Sequence, residues 1–257
     1  MLQQLNYLWR VIATGLCFAL FGVGGLLLSL FVLPVQRLVI KDTKAQKATA
    51  RKTVHYTFKF FIAFMQFVGI FKFDLQQAKQ LKALNGHLVM ANHPSLIDVV
   101  VLISLIPNAD CVVKTHLFNN VFLKGVVSNT GYISNADPAD LLNDCEASLK
   151  AGNNLIIFPQ GTRTKPDEDL RFQRGAANIA IRCQAKVTSV MLKVIPSTLT
   201  KNVPWYRIPK TKAHFSAMVV EHSPTLPENN MSKTSKDVRQ YNRDLETFFR
   251  EELSKYG

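Results

Sequence analysis

Cysteine is scarce in this chain, and none of its four copies lies near another. Cys17, Cys111, Cys145 and Cys183 form no C-x-x-C pair, and the six histidines are not clustered. Zinc sites need closely spaced Cys or His ligands, and disulfide frameworks belong to secreted chains. The spacing therefore argues against a zinc centre and indicates reduced, mostly buried thiols in a protein that faces the cytosol.

Glycine-rich loops for nucleotide phosphates are also missing. The chain contains neither a Walker lysine loop nor a G-x-G-x-x-G stretch, so nucleotide-dependent phosphoryl or hydride transfer is unsupported. It contains no internal repeat and no low-complexity segment. Its 257 residues are enough for one large domain, or for a domain with a small appendage.

Acidic residues are few, and one long stretch has no charge at all. The chain has 18 Asp and Glu against 31 Lys and Arg, a formal net charge of +13. This excess is typical of proteins that meet nucleic acid or an anionic membrane. Residues 11–35 carry no charge, which is long enough to cross a bilayer with some tilt. We interpret them as an uncleaved membrane anchor, because the run is too long for a signal peptide.

A basic run follows the anchor directly. Against one acid, Asp42, it contains Arg37, Lys41, Lys44, Lys47, Arg51 and Lys52. Such an excess belongs on the cytoplasmic side and attracts anionic lipid headgroups. We therefore expect a membrane location, with the rest of the chain on the cytoplasmic face and residues 1–10 across the bilayer. An arrangement with Met1 also in the cytoplasm stays open. Nucleic acid is a poor partner because the cluster adjoins a membrane span.

Residues 54–73 are aromatic and apolar but are interrupted by Lys59 and Lys72. An amphipathic helix in the membrane interface and an ordinary core helix explain them equally well. A second span would place the remainder of the chain on the other side.

From residue 85 onward, short apolar runs alternate with helical patterns. This order predicts an α/β fold with a mostly parallel sheet flanked by helices, attached to N-terminal membrane helices. Strands are predicted at 87–91, 111–114, 154–158, 187–194 and 214–220. Helices are predicted at 95–105, 138–151, 175–184 and, as an amphipathic helix, in the tail from Ser232. The domains predicted are a membrane anchor (1–36), a basic linker with an interfacial helix (37–84) and a catalytic domain (85–257).

The turn after the first of these strands places His93 five residues before Asp98. Residues five apart lie on different faces of a helix, so the two side chains meet only if the chain bends at Pro94. Asp98 would then hold one imidazole nitrogen while the other takes a proton from a hydroxyl. The alternative is a histidine on a surface turn beside an acid that serves the helix N-terminus.

A second polar turn follows the strand at 154–158. Gly161 allows close backbone approach, and Arg163 offers a fork for phosphate or carboxylate. Arg174 opens the next helix, whose N-terminus favours anions, and Lys114 ends another strand. These cations indicate a phosphate or pyrophosphate site, although a solvated basic loop would have the same composition.

Taken in order, six blocks carry a family resemblance. They are His93 and Asp98 preceded by Asn92; Lys114 before Leu117-Phe118; Gly131-x-Ile133; Phe158-Pro159-x-Gly161-Thr162-Arg163; Arg174-Gly175-Ala176; and Val194-Ile195-Pro196. This series resembles the glycerolipid acyltransferases of the lysophosphatidic acid acyltransferase type and covers about residues 55–220. An ordered set of blocks is far more specific than any one of them.

The resemblance implies a membrane-bound O-acyltransferase. His93, oriented by Asp98, would act as general base on the hydroxyl of a lysophospholipid-like acceptor. That hydroxyl would attack the thioester of acyl-coenzyme A or acyl carrier protein, with no acyl-enzyme, metal or resident cofactor. Amides near Gly161 and Thr162 would stabilise the oxyanion, while Arg163, Arg174 and Lys114 would hold phosphate. Asn92, Gly131, Phe158, Pro159 and Gln160 complete the expected substrate-binding set.

Two departures from the family pattern bear on the acceptor. Gln160 stands where the family usually has an acid, and Ser134 to Asp137 stand where its second block usually ends in an arginine. That arginine is thought to grip the acceptor's phosphate, so we expect lysophosphatidic acid to be a poor acceptor. A non-phospholipid acceptor, such as an amino-acid or pigment-type lipid, and a non-catalytic lipid-binding protein of the same fold are the alternatives.

Overall fold

A seven-stranded sheet forms the centre of the protein, in a computed structural model that describes residues 2–165, 168–227 and 234–256. The strand order is β1-β7-β6-β2-β5-β3-β4. Only the β6–β7 pair is antiparallel. The strands are β1 (Phe71–Asp74), β2 (His87–Ala91), β3 (Ala109–Val113), β4 (Ile133–Ser134), β5 (Asn154–Ile157), β6 (Lys186–Ile195) and β7 (Ala213–Val220).

The central strands are apolar along their length because helices cover both faces of the sheet. Residues 88–91 of β2 and 155–157 of β5 are buried throughout, which is typical of parallel strands between two helical layers. The mostly parallel α/β fold predicted from the sequence is therefore confirmed. We call the edge at which β2, β3, β4 and β5 end the carboxyl edge.

Eight α-helices lie in the described residues, in two layers. One cluster of core residues includes residues of α1, α3, α4 and α5. The other includes residues of α6, α7 and α8. The helices are α1 (Leu2–Leu27), α2 (Leu33–Val39), α3 (Thr43–Phe67), α4 (Asp98–Leu105), α5 (Lys124–Thr130), α6 (Pro138–Lys150), α7 (Arg174–Cys183) and α8 (Ser235–Lys255). The predicted tail helix is therefore present from Ser235, while the proposed first tail residue, Ser232, lies outside the described residues.

The N-terminal helix is longer than the predicted anchor. A π-helical turn, Leu28–Val32, joins α1 to α2, so helical backbone continues to Val39. This 38-residue run is, within the described part of the chain, the one helix long and apolar enough to cross a membrane.

Both ends of α1 contact the rest of the protein. Near its start, the Arg10 guanidinium donates to the carbonyl oxygens of residues 209–211, and Trp9 Nε1 donates to Val68 O at 2.9 Å. Beyond its end, Ser29 lies so close to α5 that a Cβ on Gly125 would meet it at 2.4 Å. These contacts place residues 9–10 against the domain, and the expected placement of residues 1–10 across the bilayer stays a prediction.

Residues 54–73 are not one helix. The helix α3 ends at Phe67, Gly69 has a φ of +81°, and β1 begins at Phe71. The core reading holds for one face of α3, where Val54 and Met65 are buried, while Tyr56, Phe60 and Phe67 on the other face are exposed. Because β1 pairs with β7, the sheet begins before residue 85, the predicted start of the catalytic domain.

Candidate active site

Two polar turns meet at the carboxyl edge of the sheet. One follows β2 and carries His93, and the other follows β5 and carries residues 158–164. The strands are paired directly, with Met90 opposite Ile157. The carboxyl ends of adjacent parallel strands share one edge, where α/β proteins bind ligands. The two turns found in the sequence are therefore neighbours.

His93 and Asp98 are in contact. His93 Nδ1 lies 2.7 Å from Asp98 Oδ2, and the backbone N–H of Ser95 donates to the same oxygen at 2.7 Å. Asp98 is the first residue of α4, so the bend expected at Pro94 is present. The contact uses Nδ1 and leaves Nε2 as the second ring nitrogen for a substrate.

Asp98 is fully buried, and its environment pulls its pKa in two directions. Burial raises the pKa of this carboxyl above the usual value, while the hydrogen bond from His93 and the charge of Arg163 oppose the rise. Its second oxygen, Oδ1, is buried and has no hydrogen-bond partner among the described residues. A buried carboxylate in this position favours a positively charged His93, which is the state that forms when the imidazole accepts a proton.

Gln160 joins the two turns. Its Oε1 accepts from the backbone N–H of His93 at 2.6 Å, and its amide nitrogen donates to Thr164 Oγ1. The Thr164 N–H donates in turn to His93 O at 3.0 Å. The imidazole also stacks on Phe158, with ring centroids 4.2 Å apart. The second turn therefore holds both the backbone and the ring of His93.

Asn92 and Arg163 are turned toward the protein. The buried Asn92 amide accepts from Leu192 N at 2.7 Å and donates to Leu192 O at 2.8 Å, which ties β2 to β6. Arg163 Nη1 donates to Leu199 O at 2.9 Å and to Thr200 O at 3.2 Å. Burial lowers the pKa of Arg163, and Asp98 partly offsets this. These contacts fix Asn92 and one nitrogen of Arg163 to the protein, and the expectation that both residues bind substrate stays a prediction.

The backbone of the second turn is partly committed to internal hydrogen bonds. Gly161 has a φ of +67° and donates its N–H to Phe158 O at 2.9 Å, and Pro159 O accepts from Gln173 N at 2.7 Å. The Gly161 amide, expected near an oxyanion, is thus already used. The Thr162 amide makes no hydrogen bond to any residue that the structure describes.

The remaining predicted residues lie on other elements. Lys114, at the end of β3, and Arg174, at the start of α7, are exposed. Gly131 ends α5 with a φ of +73°, and a Cβ there would lie 2.8 Å from the Lys47 side chain. The helix end and the Lys47 side chain account for a glycine here, and a part for Gly131 in substrate binding stays a prediction.

A neutral polar cluster on the carboxyl edge was not recognised in the sequence. Thr115 donates its N–H to Asn135 Oδ1 at 3.1 Å, and its hydroxyl lies 3.2 Å from Ser134 Oγ. The nearby Asp137 carboxylate caps α6 by accepting from Ala139 N and Asp140 N. The only signal for this cluster is the departure from the family pattern at 134–137, because pairing of β3 with β4 is what brings Thr115 to Ser134.

The fold and the histidine turn together define an α/β protein with a His–Asp pair at the carboxyl edge of its sheet. The same fold occurs in the crystal structure of the 1-acyl-sn-glycerophosphate acyltransferase PlsC from Thermotoga maritima. That chain aligns with a TM-score of 0.65 and 15% identity, and the alignment covers 97% of each chain. At this identity the likeness concerns the fold alone.

Sequence comparison finds similarity to acyltransferases. The acyltransferase family model matches residues 72–193. Residues of this chain are 27% identical, over 194 positions, to a chloroplast 1-acyl-sn-glycerol-3-phosphate acyltransferase of Brassica napus, covering 71% of this chain and 55% of the relative. They are 33% identical, over 112 positions, to the enzyme of that name from Helicobacter pylori, covering 41% of this chain and 47% of the relative. The chain spans about half the length of these relatives. Over the matched residues, this chain is therefore similar to acyltransferases of the lysophosphatidic acid acyltransferase type.

Proposed function

We propose that this protein is a membrane-bound O-acyltransferase that moves a fatty acyl group from acyl-coenzyme A or acyl carrier protein to the hydroxyl of a lysophospholipid-like acceptor. The 2.7 Å contact between His93 Nδ1 and Asp98 Oδ2 carries the proposal. It orients the ring and leaves Nε2 to accept a proton. The names of the relatives support the reaction class.

In the proposed reaction, His93 Nε2 takes the proton of the acceptor hydroxyl as its oxygen attacks the thioester carbonyl carbon. The tetrahedral intermediate collapses, the C–S bond breaks, and the leaving thiolate receives that proton from His93. Asp98 stabilises the imidazolium between the two steps. The acyl group passes directly from sulfur to oxygen, so no metal, resident cofactor or acyl-enzyme takes part.

The oxyanion of the intermediate needs a donor close to His93. Since the Gly161 amide is bonded to Phe158 O, we assign this role to the Thr162 amide. Lys114 and Arg174 are exposed cations at the ends of β3 and of the loop before α7. We assign them to phosphate groups of the thioester donor.

Substitution of His93 tests this function directly. His93→Ala should lower transfer by roughly 10²–10⁴-fold, the usual contribution of a general base, while the protein stays folded and bound to membranes. Transfer is measured by mass spectrometry with a panel of lysolipid acceptors and both thioester donors. The exposed His222, at the far end of β7, provides the control His222→Ala. Near-full activity of purified His93→Ala would refute the mechanism, and inactivity of the wild type with every acceptor would favour a non-catalytic lipid-binding protein.

For the acceptor, we propose a lipid without a free phosphate monoester. A charge-assisted hydrogen bond to phosphate contributes roughly 1.5–3 kcal/mol. Thr115, Ser134 and Asn135 provide hydroxyl and amide groups with no charge, and the Asp137 carboxylate lies two residues further along. Arg163 compensates little, since its Nη1 is bonded to Leu199 and Thr200. These observations favour a phosphodiester lysolipid or a phosphate-free hydroxylated lipid.

The acceptor proposal is tested by the ratio of kcat/KM for lysophosphatidic acid to that for a phosphodiester lysolipid and for a phosphate-free hydroxylated lipid. We expect lysophosphatidic acid to be the poorest of the three. A clear preference for it would return the protein to the substrate named for its relatives and would leave the His93 mechanism untouched.

We further propose that the protein acts at the cytoplasmic face of the bacterial inner membrane. The apolar face of α1 would give access to a lipid acceptor, while the thioester arrives from water. The contacts of Trp9, Arg10 and Ser29 with the domain support an arrangement in which both ends of α1 are on the cytoplasmic side.

A further inference from the structure

The loop between β6 and β7, residues 196–212, connects the site to the protein surface. Because Ile195 pairs with His214 in an antiparallel register, this β6–β7 loop lies at the carboxyl edge. It has two parts with different surroundings. Residues 198–200 are buried, and residues 202–203, 205–207 and 210–212 are exposed.

The buried part touches both turns of the site. Thr198 O accepts from Ser95 Oγ at 3.0 Å, and Leu199 O accepts from Leu96 N at 3.0 Å. Leu199 O also accepts from Arg163. Leu199 adopts a φ of +54°, a left-handed conformation that is unfavourable for a non-glycine residue and persists only where neighbours enforce it. The position of this loop is therefore mechanically linked to the turn that carries His93.

The exposed part combines aromatic and basic side chains. Trp205 is 42% and Tyr206 is 52% exposed, and Val203 beside them is also exposed. Lys201, Arg207, Lys210 and Lys212 lie in the same segment, and residues 170–220 contain no Asp or Glu. Tryptophan and tyrosine next to basic residues are typical of the interface between a bilayer and water, where anionic headgroups meet acyl chains.

This loop is continuous with the apolar face of α1. The Trp205 ring lies against Gly15, where a Cβ would be 3.2 Å from the indole, and 5.7 Å from the Phe18 ring. Arg10 holds the carbonyls of residues 209–211. Along the same helix Leu8, Ile12 and Leu16 are about half exposed. An acidic protein would match the cations of the loop but would leave these aliphatic side chains in contact with water, whereas a lipid surface matches both.

We propose that the tip of the β6–β7 loop, residues 203–207, inserts into the headgroup layer of an anionic membrane beside α1 and holds the carboxyl edge at the lipid surface. The proposal rests on the proposed function only in placing the enzyme at a membrane. Because residues 198–200 are hydrogen-bonded to the His93 turn, the depth of the loop in the membrane sets the height of the site above the bilayer. The site then faces the layer in which an acceptor hydroxyl lies.

The loop contains one of only two tryptophans in the chain, Trp9 and Trp205, so fluorescence can test its depth without any activity measurement. Trp9→Phe leaves Trp205 as sole reporter in the reconstituted full-length protein. The vesicles contain phosphatidylcholine and phosphatidylglycerol brominated at a shallow or a deep acyl position. A second reporter, Tyr206→Trp combined with Trp9→Phe and Trp205→Phe, covers the case in which Trp205 is shielded by α1. The control reporter is His222→Trp in that same double background, at the opposite edge of the sheet.

We expect shallow bromines to quench Trp205 and the Tyr206→Trp reporter more than deep ones do, and to leave the His222→Trp reporter unquenched. Absence of quenching at both loop positions overturns the proposal, whether or not Trp9 is quenched when Trp205 is replaced by Phe. A response of Trp205 to soluble acyl carrier protein but not to brominated lipid overturns it in favour of a protein partner. Loss of transfer in His93→Ala bears on the function and has no effect on these readouts.

The charge of the loop is tested separately. The double substitution Arg207→Gln and Lys210→Gln should weaken the quenching of the Trp205 reporter by lipid and should reduce the preference for anionic over zwitterionic vesicles on the order of 10-fold. The matched control, Lys236→Gln with Arg239→Gln, removes two exposed cations at the start of α8. It should change neither the quenching nor the preference for anionic vesicles. Equal effects of the two pairs would overturn the electrostatic part of the proposal.

Discussion

At the scale of single residues, Asp98 meets two opposing demands. Its position beside His93 requires a carboxylate, and its complete burial disfavours one, since burial raises the pKa of Asp98 above 3.8. A group whose pKa is higher in the folded state binds a proton more tightly there. The free energy of unfolding therefore falls as the pH rises from 3.8 through the raised pKa. The buried carboxylate thus lowers the stability of the fold near neutral pH while it orients the imidazole of His93.

Asp98→Asn should therefore separate activity from stability. The amide oxygen can still accept from Ser95 N, and the buried charge disappears, so the midpoint of thermal unfolding should stay equal or rise. Transfer should fall by roughly 10⁴-fold, as in triads whose acid becomes an amide. The unfolding midpoint measured between mildly acidic and neutral pH should lose its Asp98-dependent decrease. Asp144→Asn, on the exposed face of α6, is the control. A large loss of stability in Asp98→Asn would show that the carboxylate is a net structural contributor.

Gln160 shows how a residue can depart from the acyltransferase pattern that this chain resembles and keep a structural role. An amide offers one acceptor for the His93 N–H and one donor for Thr164, whereas a carboxylate offers acceptors only. The position therefore holds the two turns together without a charge beside the imidazole. The sequence showed the missing acid, but only the contact with His93 N explains what replaces it.

At the scale of elements, α3 is fastened to the sheet by a buried ion pair. Arg51 Nη1 lies 2.6 Å from Asp110 Oδ1 at the start of β3. Ser148 and Asn153 donate to the other carboxylate oxygen. Arg51 belongs to the basic run that we expected to meet lipid headgroups, and its burial removes it from that set.

Removing one partner of this pair should be costly. Arg51→Ala leaves the Asp110 carboxylate buried without its cation, a change that typically costs roughly 3–5 kcal/mol. Chemical or thermal unfolding in detergent measures the loss, and the adjacent exposed Lys52→Ala should be nearly neutral. The double variant Arg51→Ala with Asp110→Ala should be less damaging than Arg51→Ala alone. An Arg51→Ala midpoint equal to that of the wild type would contradict this account.

At the scale of the whole molecule, the orientation of α1 decides how the protein meets the bilayer. We expect Gln3, Lys47 and Lys255 to lie on the same, cytoplasmic side. Single cysteines at these exposed positions can be labelled with a membrane-impermeant maleimide in vesicles of either orientation. Burial raises the pKa of both Cys111 and Cys145 to about 12, so these native thiols should stay unreactive, and Cys17 and Cys183 are replaced by serine.

Labelling of Gln3→Cys from the opposite side of the membrane would mean that α1 leaves the domain and crosses the bilayer. In that case the contacts of Trp9 and Arg10 would not persist in the membrane. If Lys255→Cys alone were on the opposite side, α3 would have to cross, against the burial of Arg51 and Val54.

The features of this protein that local patterns encode could be predicted from the sequence. The buried strands β2 and β5 are continuous apolar runs, and α6 begins at Asp137-Pro138, a cap followed by a residue suited to the first turn. The His93–Asp98 spacing with Pro94 required a bend, and the series of six blocks indicated the family. The strands, the helix start and the bend are encoded by neighbouring residues, and the six blocks are recognised by their order along the chain, so none of these features needed tertiary information.

The features that depend on residues distant in the sequence could be recognised only in the folded structure. The strand β1 is four residues long and lies at the end of an aromatic helix pattern; it is recognisable only through its pairing with β7. Asn92, Arg51 and Arg163 are polar residues that local sequence assigns to solvent or substrate. Their partners lie 100, 59 and 36 positions away, and a buried polar group must find such partners because leaving it unpaired is costly. The composition of α1 alone predicts a membrane span. Only its contacts with residues 209–211 show that it lies along the domain.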